Sequence, residues 1–95
     1  MNIRHEAEKK SFVAYDDAGK EMGKLVYSLA KEGKLITIDS TMVDSEYRGQ
    51  KIGDYLTQDL IADAREKEAK IWPVCPFAVA YFQKHPGEYD DVLLK

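Results

Sequence analysis

The first half of the chain alternates between strand-like segments and clusters of turn-forming residues. Residues 11–15, Ser-Phe-Val-Ala-Tyr, are rich in β-branched and aromatic side chains, and the turn formers of 16–20 follow them. A returning strand is predicted over 21–30, where Gly23 indicates a bulge, and residues 31–34 turn the chain again. The pattern predicts a β-hairpin that leads into a third strand.

The third strand, residues 35–43, has a clear two-residue alternation. Ile36, Ile38 and Met42 are expected on one face, with polar residues between them on the other. This alternation is typical of an antiparallel strand with one solvated face. We therefore expect the three strands to form a meander.

After residue 43 the apolar residues recur at a helical period. Ile52, Leu56, Leu60 and Ala64 stand four positions apart, which predicts an amphipathic helix over 51–69. The short apolar segment 70–74 follows, and a strand reached through a helical crossover runs parallel to the strand before it.

A second helix is predicted to begin at Pro76, which suits the first helical turn, and to end near Lys84 before His-Pro-Gly. Residues 89–94 are expected to add a last short strand. The chain of 95 residues is thus read as one α+β domain, with residues 1–10 as a polar N-terminal segment.

Composition excludes several classes of function. Fourteen Lys and Arg against seventeen Asp and Glu give a net charge of −3, which argues against nucleic-acid and membrane partners. The uncharged stretch 71–82 is too short to span a membrane, and the polar N-terminus has no secretory signal, so we expect a cytoplasmic protein. One cysteine and two histidines give no metal site.

Two segments stand where a parallel strand meets a helix N-terminus, the usual place for a ligand in such sheets. The first is the loop 44–53, in which Gly49 and Gly53 allow close backbone approach and Arg48 and Lys51 add positive charge. A phosphate or pyrophosphate would fit there. The alternative is a solvated connection in which the glycines only serve the turn.

The second segment holds Cys75, between Pro73 and Pro76 at the expected cap of the second helix. The helix dipole at that position favours a nucleophilic thiolate. The alternative is an inert buried cysteine, the commoner fate of a lone thiol in an apolar stretch.

Together these segments resemble the short single-domain branch of the GNAT superfamily of acetyl-CoA-dependent N-acetyltransferases. The loop of that superfamily reads Gln/Arg-x-x-Gly-x-Gly/Ala, and this chain matches it at Arg48 and Gly53. The branch also carries a Pro-x-Cys-Pro/Ser-aromatic segment, here residues 73–77, and then a His-Pro and an aromatic, here within 85–89.

The resemblance extends from about Ser11 to Leu94 and implies a GNAT-like fold whose two parallel strands splay apart around acetyl-CoA. It implies that the strand end at Val43 holds the pantetheine arm and that Cys75, the candidate catalytic residue, lies near the acetyl thioester. The residues that it implies for binding coenzyme A are Met42, Val43, Arg48, Gly49, Gln50, Lys51, Ile52, Gly53 and Asp54.

The chain departs from the family pattern at three positions. Lys51 stands where the first loop glycine belongs, and Ser40 stands where the branch usually has a histidine. Phe82 stands where larger relatives often place a tyrosine that acts as the general acid, with Tyr81 beside it. If position 51 has a positive φ, its lysine costs about 1 kcal/mol. If position 51 is helical, the lysine is harmless and its ammonium group could reach a phosphate.

The resemblance implies an enzyme that transfers acetyl from acetyl-CoA to an amine, either directly or through an acetyl-thioester on Cys75. The covalent route is favoured because Ser40 leaves no convincing base. The segment before Ser11 is short for the helices that larger relatives fold over the acceptor, so a protein or peptide amine is expected, with the chain a monomer or weak dimer. The alternative is a non-catalytic CoA-binding or protein-interaction module on the same fold.

Overall fold

A computed structural model describes residues 1–94, in which five strands form one sheet and two helices pack on one of its faces. The elements are β1 (Asn2–Glu6), β2 (Ser11–Tyr15), β3 (Glu21–Ala30), β4 (Leu35–Val43), α1 (Ile52–Lys67), β5 (Lys70–Pro73) and α2 (Pro76–Gln83). The strands lie in chain order; β1 to β4 are antiparallel neighbours and β5 is parallel to β4. The α+β class, the meander and the parallel crossover are confirmed.

The β2–β3 hairpin forms where turn residues were expected. The carboxylate of Asp16 accepts the backbone N–H groups of Ala18 at 2.9 Å and Lys20 at 2.8 Å, a local bond that favours a turn. Past the turn, the pairing skips Met22, beside Gly23, so the expected bulge is present there.

A second bulge lies in the middle of β4. Val26 of β3 pairs with Ser40, whereas Tyr27 pairs with Ile38, so Asp39 is an extra residue. The extra residue reverses the alternation beyond it. The expectation that Met42 shares a face with Ile36 and Ile38 is therefore wrong: Met42 is 56% exposed on the opposite face.

β1 is an element that the sequence pattern does not indicate. It pairs with the whole of β2 and forms one edge of the sheet. The ring of His5 stacks on Phe12 at 4.1 Å between centroids, and its Nε2 lies 2.5 Å from the Tyr27 hydroxyl. Ile3 is the one aliphatic residue of the strand, so its hydrophobic pattern is weak.

The helices cover the sheet face that holds the core. The stripe Leu56, Leu60 and Ala64 of α1 is fully buried, as its spacing predicts, and α1 begins one residue later and ends two residues earlier than expected. In α2, Pro76 occupies the first turn and Cys75 caps the helix. Both helices contribute to one hydrophobic cluster with the inner face of the sheet.

The expected strand over 89–94 is wrong. The backbone carbonyl of Tyr89 accepts the N–H groups of Val92 and Leu93, both at 3.0 Å, so the chain turns instead of extending. A single bridge joins Leu93 to Ile71 of β5. Tyr89 points into the core, and its burial favours the turn.

No helix within residues 1–94 is long and apolar enough to cross a membrane.

Candidate functional site

A gap opens where β4 and β5 separate. The last paired residues are Ile38 and Pro73. The backbone N–H groups of Val74 and Cys75 both donate to the Ile38 carbonyl, at 3.2 and 3.1 Å, and the chain then enters α2. Within residues 1–94, strand β4 continues to Val43 without a partner on that side, so the two strands splay apart.

A cleft of about 590 Å³ occupies this gap. Gln50 is the one residue of the implied CoA-binding set that does not line it; Gln50 faces a neighbouring depression with Tyr55. The cleft is lined by Thr41, Met42, Val43, Tyr47, Arg48, Gly49, Lys51, Ile52, Gly53, Asp54 and Phe77. The structure thus brings most of the set together, and their role in binding stays a prediction.

The end of β4 presents free backbone groups to the cleft. The N–H of Asp44 donates to the carbonyl of Met22 in β3 at 2.9 Å. Because backbone direction alternates along an antiparallel strand, the amides of Thr41 and Val43 face away from β3, toward the gap. Backbone groups of this kind can bind an extended ligand that carries amides of its own.

Two residues near the end of the loop between β4 and α1, separated by Gln50, have a positive φ. Gly49 has φ +87°, and Lys51, immediately before α1, has φ +61°. Of the two alternatives for Lys51, the structure shows the strained one, which for a residue with a side chain costs about 1 kcal/mol or more. Lys51 is exposed, so its ammonium group also remains available to an anion.

The charge at this end of the cleft suits a pyrophosphate. The N-terminus of the 16-residue helix α1 leaves backbone amides without helical partners, and its dipole favours an anion. Arg48 and Lys51 line the same end and add two cations. Asp54, in the first turn, opposes them with one carboxylate.

A latch that the sequence does not reveal holds the loop against the β2–β3 turn. The Tyr47 hydroxyl donates to the Asp16 carboxylate at 3.0 Å, and Lys20 pairs with Glu46 at 3.0 Å. The bond to Asp16 raises the pKa of Tyr47, and the Lys20 backbone N–H is the main cause that lowers the pKa of Asp16. Asp16 precedes Tyr47 by 31 residues, so no local pattern predicts the contact.

The second loop glycine, Gly53, is required by packing. A Cβ placed on Gly53 would lie 2.5 Å from Cζ of Phe77, closer than side chains approach. The ring of Phe77 therefore rests on the backbone of the first turn of α1. A glycine that the motif associates with phosphate also fixes how α2 meets α1.

Cys75 lies beside the cleft and does not line it. The residue is 6% exposed, and its Sγ accepts the N–H of Ala78 at 3.4 Å as the cap of α2. Oγ1 of Thr41, which does line the cleft, is 3.5 Å from the sulfur. The expected cap position is confirmed, and a reactive thiol there stays a prediction.

The aromatic residues considered for acid catalysis belong to the core. Tyr81 and Phe82 are buried, and the Tyr81 hydroxyl lies 3.0 Å from that of Tyr89. The ring of His85 packs at a tilt against that of Tyr81, with 4.6 Å between centroids, and its Nδ1 lies 2.8 Å from a carboxylate oxygen of Glu88. Within residues 1–94, the ionisable side chains that line the cleft are Tyr47, Arg48, Lys51 and Asp54.

Comparisons with known proteins agree with this arrangement. Residues 11–92 match the family described as GCN5-related N-acetyltransferase. A GCN5-like N-acetyltransferase from Staphylococcus aureus, whose solution structure was determined by NMR, is 30% identical, with a TM-score of 0.76 over 98% of this chain and 87% of that one. A search of curated proteins gave no match.

Two larger proteins share the fold at lower identity. Ribosomal-protein-alanine N-acetyltransferase from Brucella melitensis is 20% identical, with a TM-score of 0.67 over 81% of this chain and 62% of that one. A GNAT family N-acetyltransferase from Escherichia coli, solved in complex with CoA, is 23% identical, with a TM-score of 0.62 over 74% and 42%. At these identities the likeness concerns the fold alone. The match to the family over 11–92, together with the splayed strands and the loop before α1, shows that the chain belongs to the GCN5-related N-acetyltransferase family.

Proposed function

We propose that this chain binds acetyl-CoA in the cleft between β4 and β5 and transfers its acetyl group to an amine on a protein or peptide. One observation carries the proposal: the unpartnered end of β4 and the N-terminus of α1, flanked by Arg48 and Lys51, line the same cleft on either side of the loop 44–51. Amides for the pantetheine arm and positive charge for the pyrophosphate thus lie along one cleft.

Acetyl-CoA supplies an activated thioester. In direct transfer the neutral amine nitrogen attacks the thioester carbonyl, a C–N bond forms, the C–S bond breaks, and the released CoA thiolate takes up a proton from the amine. Strand β4 holds the pantetheine arm and the loop before α1 holds the pyrophosphate, so that the thioester is fixed in position.

In the covalent alternative the acetyl group passes first to Cys75. The Cys75 thiol loses its proton as Sγ attacks the thioester carbon, the C–S bond to CoA breaks, and the released CoA thiolate takes up that proton. The neutral amine then attacks the acetyl-thioester carbon, a C–N bond forms, the C–S bond to Cys75 breaks, and Sγ takes up the proton that the amine releases. Thr41 supports this route, since its hydroxyl lies both in the cleft lining and 3.5 Å from the sulfur.

The open side of the sheet favours a large acceptor. Both helices lie on one face, while the opposite face exposes Met42 at the cleft and Trp72 on β5, at 56% and 52%. A protein or peptide can approach such a surface. A small metabolite has fewer groups there to enclose it.

Thermal unfolding with and without acetyl-CoA tests the proposal. At about 100 times the dissociation constant we expect about 2.7 kcal/mol of stabilisation, a rise of roughly 10 °C for a domain of this size. Replacement of Arg48 by Ala should weaken the shift, and added salt should weaken it further. No shift over a wide range of concentration would reject the proposal.

Cys75→Ser separates the two routes. Undiminished acetylation of a peptide amine by the variant would exclude the covalent route and leave direct transfer. The covalent route would be supported if intact mass detected an added acetyl group on the wild-type chain and none on the Cys75→Ser variant. Binding of acetyl-CoA without turnover on a broad panel of amines would favour a non-catalytic CoA-binding module, a reading consistent with the burial of Cys75.

A further inference from the structure

Phe77 joins the starts of the two helices that flank the cleft. It is the second residue of α2, and the outer end of its ring covers the backbone of Gly53, the second residue of α1. A Cβ at Gly53 would lie 2.5 Å from Cζ of the ring and 3.0 Å from both Cε atoms. Side chains do not approach so closely, so the ring can pack on this turn only because residue 53 is a glycine.

The contact lies at the end of the cleft to which the proposed function assigns the pyrophosphate. The first bond of helical type in α1 runs from the Tyr55 N–H to the Lys51 carbonyl, at 3.1 Å. The N–H groups of residues 52–54 precede this bond and have no partner within the helix, so they can bind an anion. The ring of Phe77 therefore packs on the middle residue of these three.

The first turn of α1 is held from several sides. The Thr57 hydroxyl, which is fully buried, donates to the Gly53 carbonyl at 2.8 Å. The side chain of Ile52 packs on Gly23 of β3, where a Cβ would lie 3.1 Å from its Cγ2. Contacts from within α1 and from the sheet thus fix the turn, and the Phe77 ring fixes the side that faces α2.

We propose that Phe77 is a positioning residue for the pyrophosphate: by packing on Gly53 it holds the amides of residues 52–54 in the geometry that binds the anion. This inference rests on the proposed function. Packing around a binding group has to keep it within about 0.5 Å of its productive position, and loss of the ring removes part of that packing. The ring has no charge and no hydrogen-bond donor, so it acts on the anion through the backbone that it supports.

The experiment titrates isotope-labelled protein with CoA and, separately, with inorganic pyrophosphate, and follows the amide signals of residues 52–54 by NMR. Inorganic pyrophosphate is the critical probe because it has the anion of CoA and no apolar group that can pack on the ring. The variants are Phe77→Ala and the milder Phe77→Leu. Val79→Ala is the matched control, since Val79 is a half-buried apolar residue of the same helix that does not line the cleft.

We expect both probes to shift the amide signals of residues 52–54 in the wild type. In Phe77→Ala the dissociation constants of CoA and of pyrophosphate should both rise about fivefold or more, since at least one amide no longer bonds the anion well. Phe77→Leu should raise both constants by a smaller factor, and Val79→Ala should leave both unchanged. Should Phe77→Ala fail to fold, a rise of both constants in Phe77→Leu still supports the proposal, and unchanged constants overturn it.

The remaining outcomes separate failure of this role from failure of the proposed function. If Phe77→Ala weakens CoA but not pyrophosphate, the ring contacts the cofactor directly, and the positioning role is overturned while the proposed function stands. The same holds if Phe77→Ala weakens neither probe, or if pyrophosphate shifts none of the amides of residues 52–54 in a wild type that binds CoA. If the folded wild type binds neither probe, the proposed function fails and the inference fails with it.

Discussion

Lys51 occupies a backbone conformation that residues with a side chain rarely adopt. Its φ of +61° places Cβ close to the following carbonyl, and its side chain makes no capping hydrogen bond to α1. The motif gives the reason for a glycine at this position, but the sequence alone does not say whether the backbone needs one. The structure shows that it does. Lys51 therefore lowers the stability of the fold and places a positive charge at the cleft.

Replacement of Lys51 by Gly should stabilise the chain by about 0.5–1 kcal/mol. Glycine removes the left-handed strain, and the greater freedom of the unfolded chain offsets part of the gain. Urea denaturation at neutral pH measures the change. Lys84→Gly is the control, because Lys84 is also exposed but has φ −79°, and there glycine should destabilise by a few tenths of a kcal/mol. Equal effects at the two positions would contradict the argument.

Tyr89 is expected to make the fold sensitive to alkali. The hydrogen bond with Tyr81 is the largest cause that raises the pKa of Tyr89 to about 12, and burial adds to it. Between the unfolded pKa of about 10 and the folded one, the unfolded chain loses this proton while the folded chain keeps it. The contribution of Tyr89 to the free energy of unfolding is therefore fully present below about pH 10. Above that pH it falls, by at most about 1.4 kcal/mol per pH unit for one proton.

Urea denaturation from about pH 8 to about pH 12 checks the expectation for Tyr89. Tyr89→Phe should lower stability at neutral pH and decline less steeply in alkali. Some decline should remain, since burial also raises the pKa of Tyr27. Parallel curves for the variant and the wild type would show that Tyr89 does not cause the alkaline loss.

At the scale of elements, the sequence predicts what short-range patterns determine. The meander, the crossover and both helices follow from periods of two and about four and from the caps that end them. Three features depend on distant contacts and escape the pattern: β1, the bulge at Asp39 and the turn around Tyr89. Strand β1 lacks a hydrophobic pattern because it is an edge strand with one aliphatic residue and buries little apolar surface.

The latch between the loop and the hairpin should position the cleft more than it stabilises the fold. Tyr47→Phe removes the hydroxyl that donates to Asp16, a partly buried bond whose loss should lower the stability of the fold only slightly. Because Tyr47 lies in the cleft lining, the variant should also weaken acetyl-CoA binding through a looser loop. Calorimetry and urea denaturation measure the two effects.

Asp16→Asn provides the second half of a double-mutant cycle for this latch. If the two residues act as a pair, the double variant should lose less than the sum of the single losses. Strictly additive losses, or an acetyl-CoA affinity that Tyr47→Phe leaves unchanged, would show that the contact does not position the loop.

At the scale of the whole molecule, the helices leave one face of the sheet open. Trp72 is the only tryptophan and is 52% exposed on that face. We expect a fluorescence emission typical of a solvated indole, efficient quenching by acrylamide, and little change of the maximum on unfolding. Added CoA should also leave the emission unchanged, since Trp72 does not line the cleft. A strongly blue-shifted emission in the folded chain would show that something covers this face.

The sequence predicts where the candidate site lies but not the tertiary contacts that hold it in place. The loop from Arg48 to Gly53 and the cysteine segment stand out because glycine, proline and charge follow recognisable rules at strand and helix ends. The contact of Phe77 with Gly53 and the latch at Tyr47 join separate elements of the chain. Such contacts depend on tertiary packing, and a pattern read over a short stretch of the sequence cannot predict them.

The bulge at Asp39 has a consequence for aligning this chain with its relatives. Because Asp39 is skipped in the backbone pairing with β3, a relative that lacks one residue between Ile38 and Ser40 can keep every cross-strand pair on either side. When such a shorter relative is aligned with this chain, the gap in its sequence should therefore be placed opposite Asp39. An alignment that runs through without the gap would equate Thr41 with a residue on the opposite face and transfer the wrong side chains to the cleft.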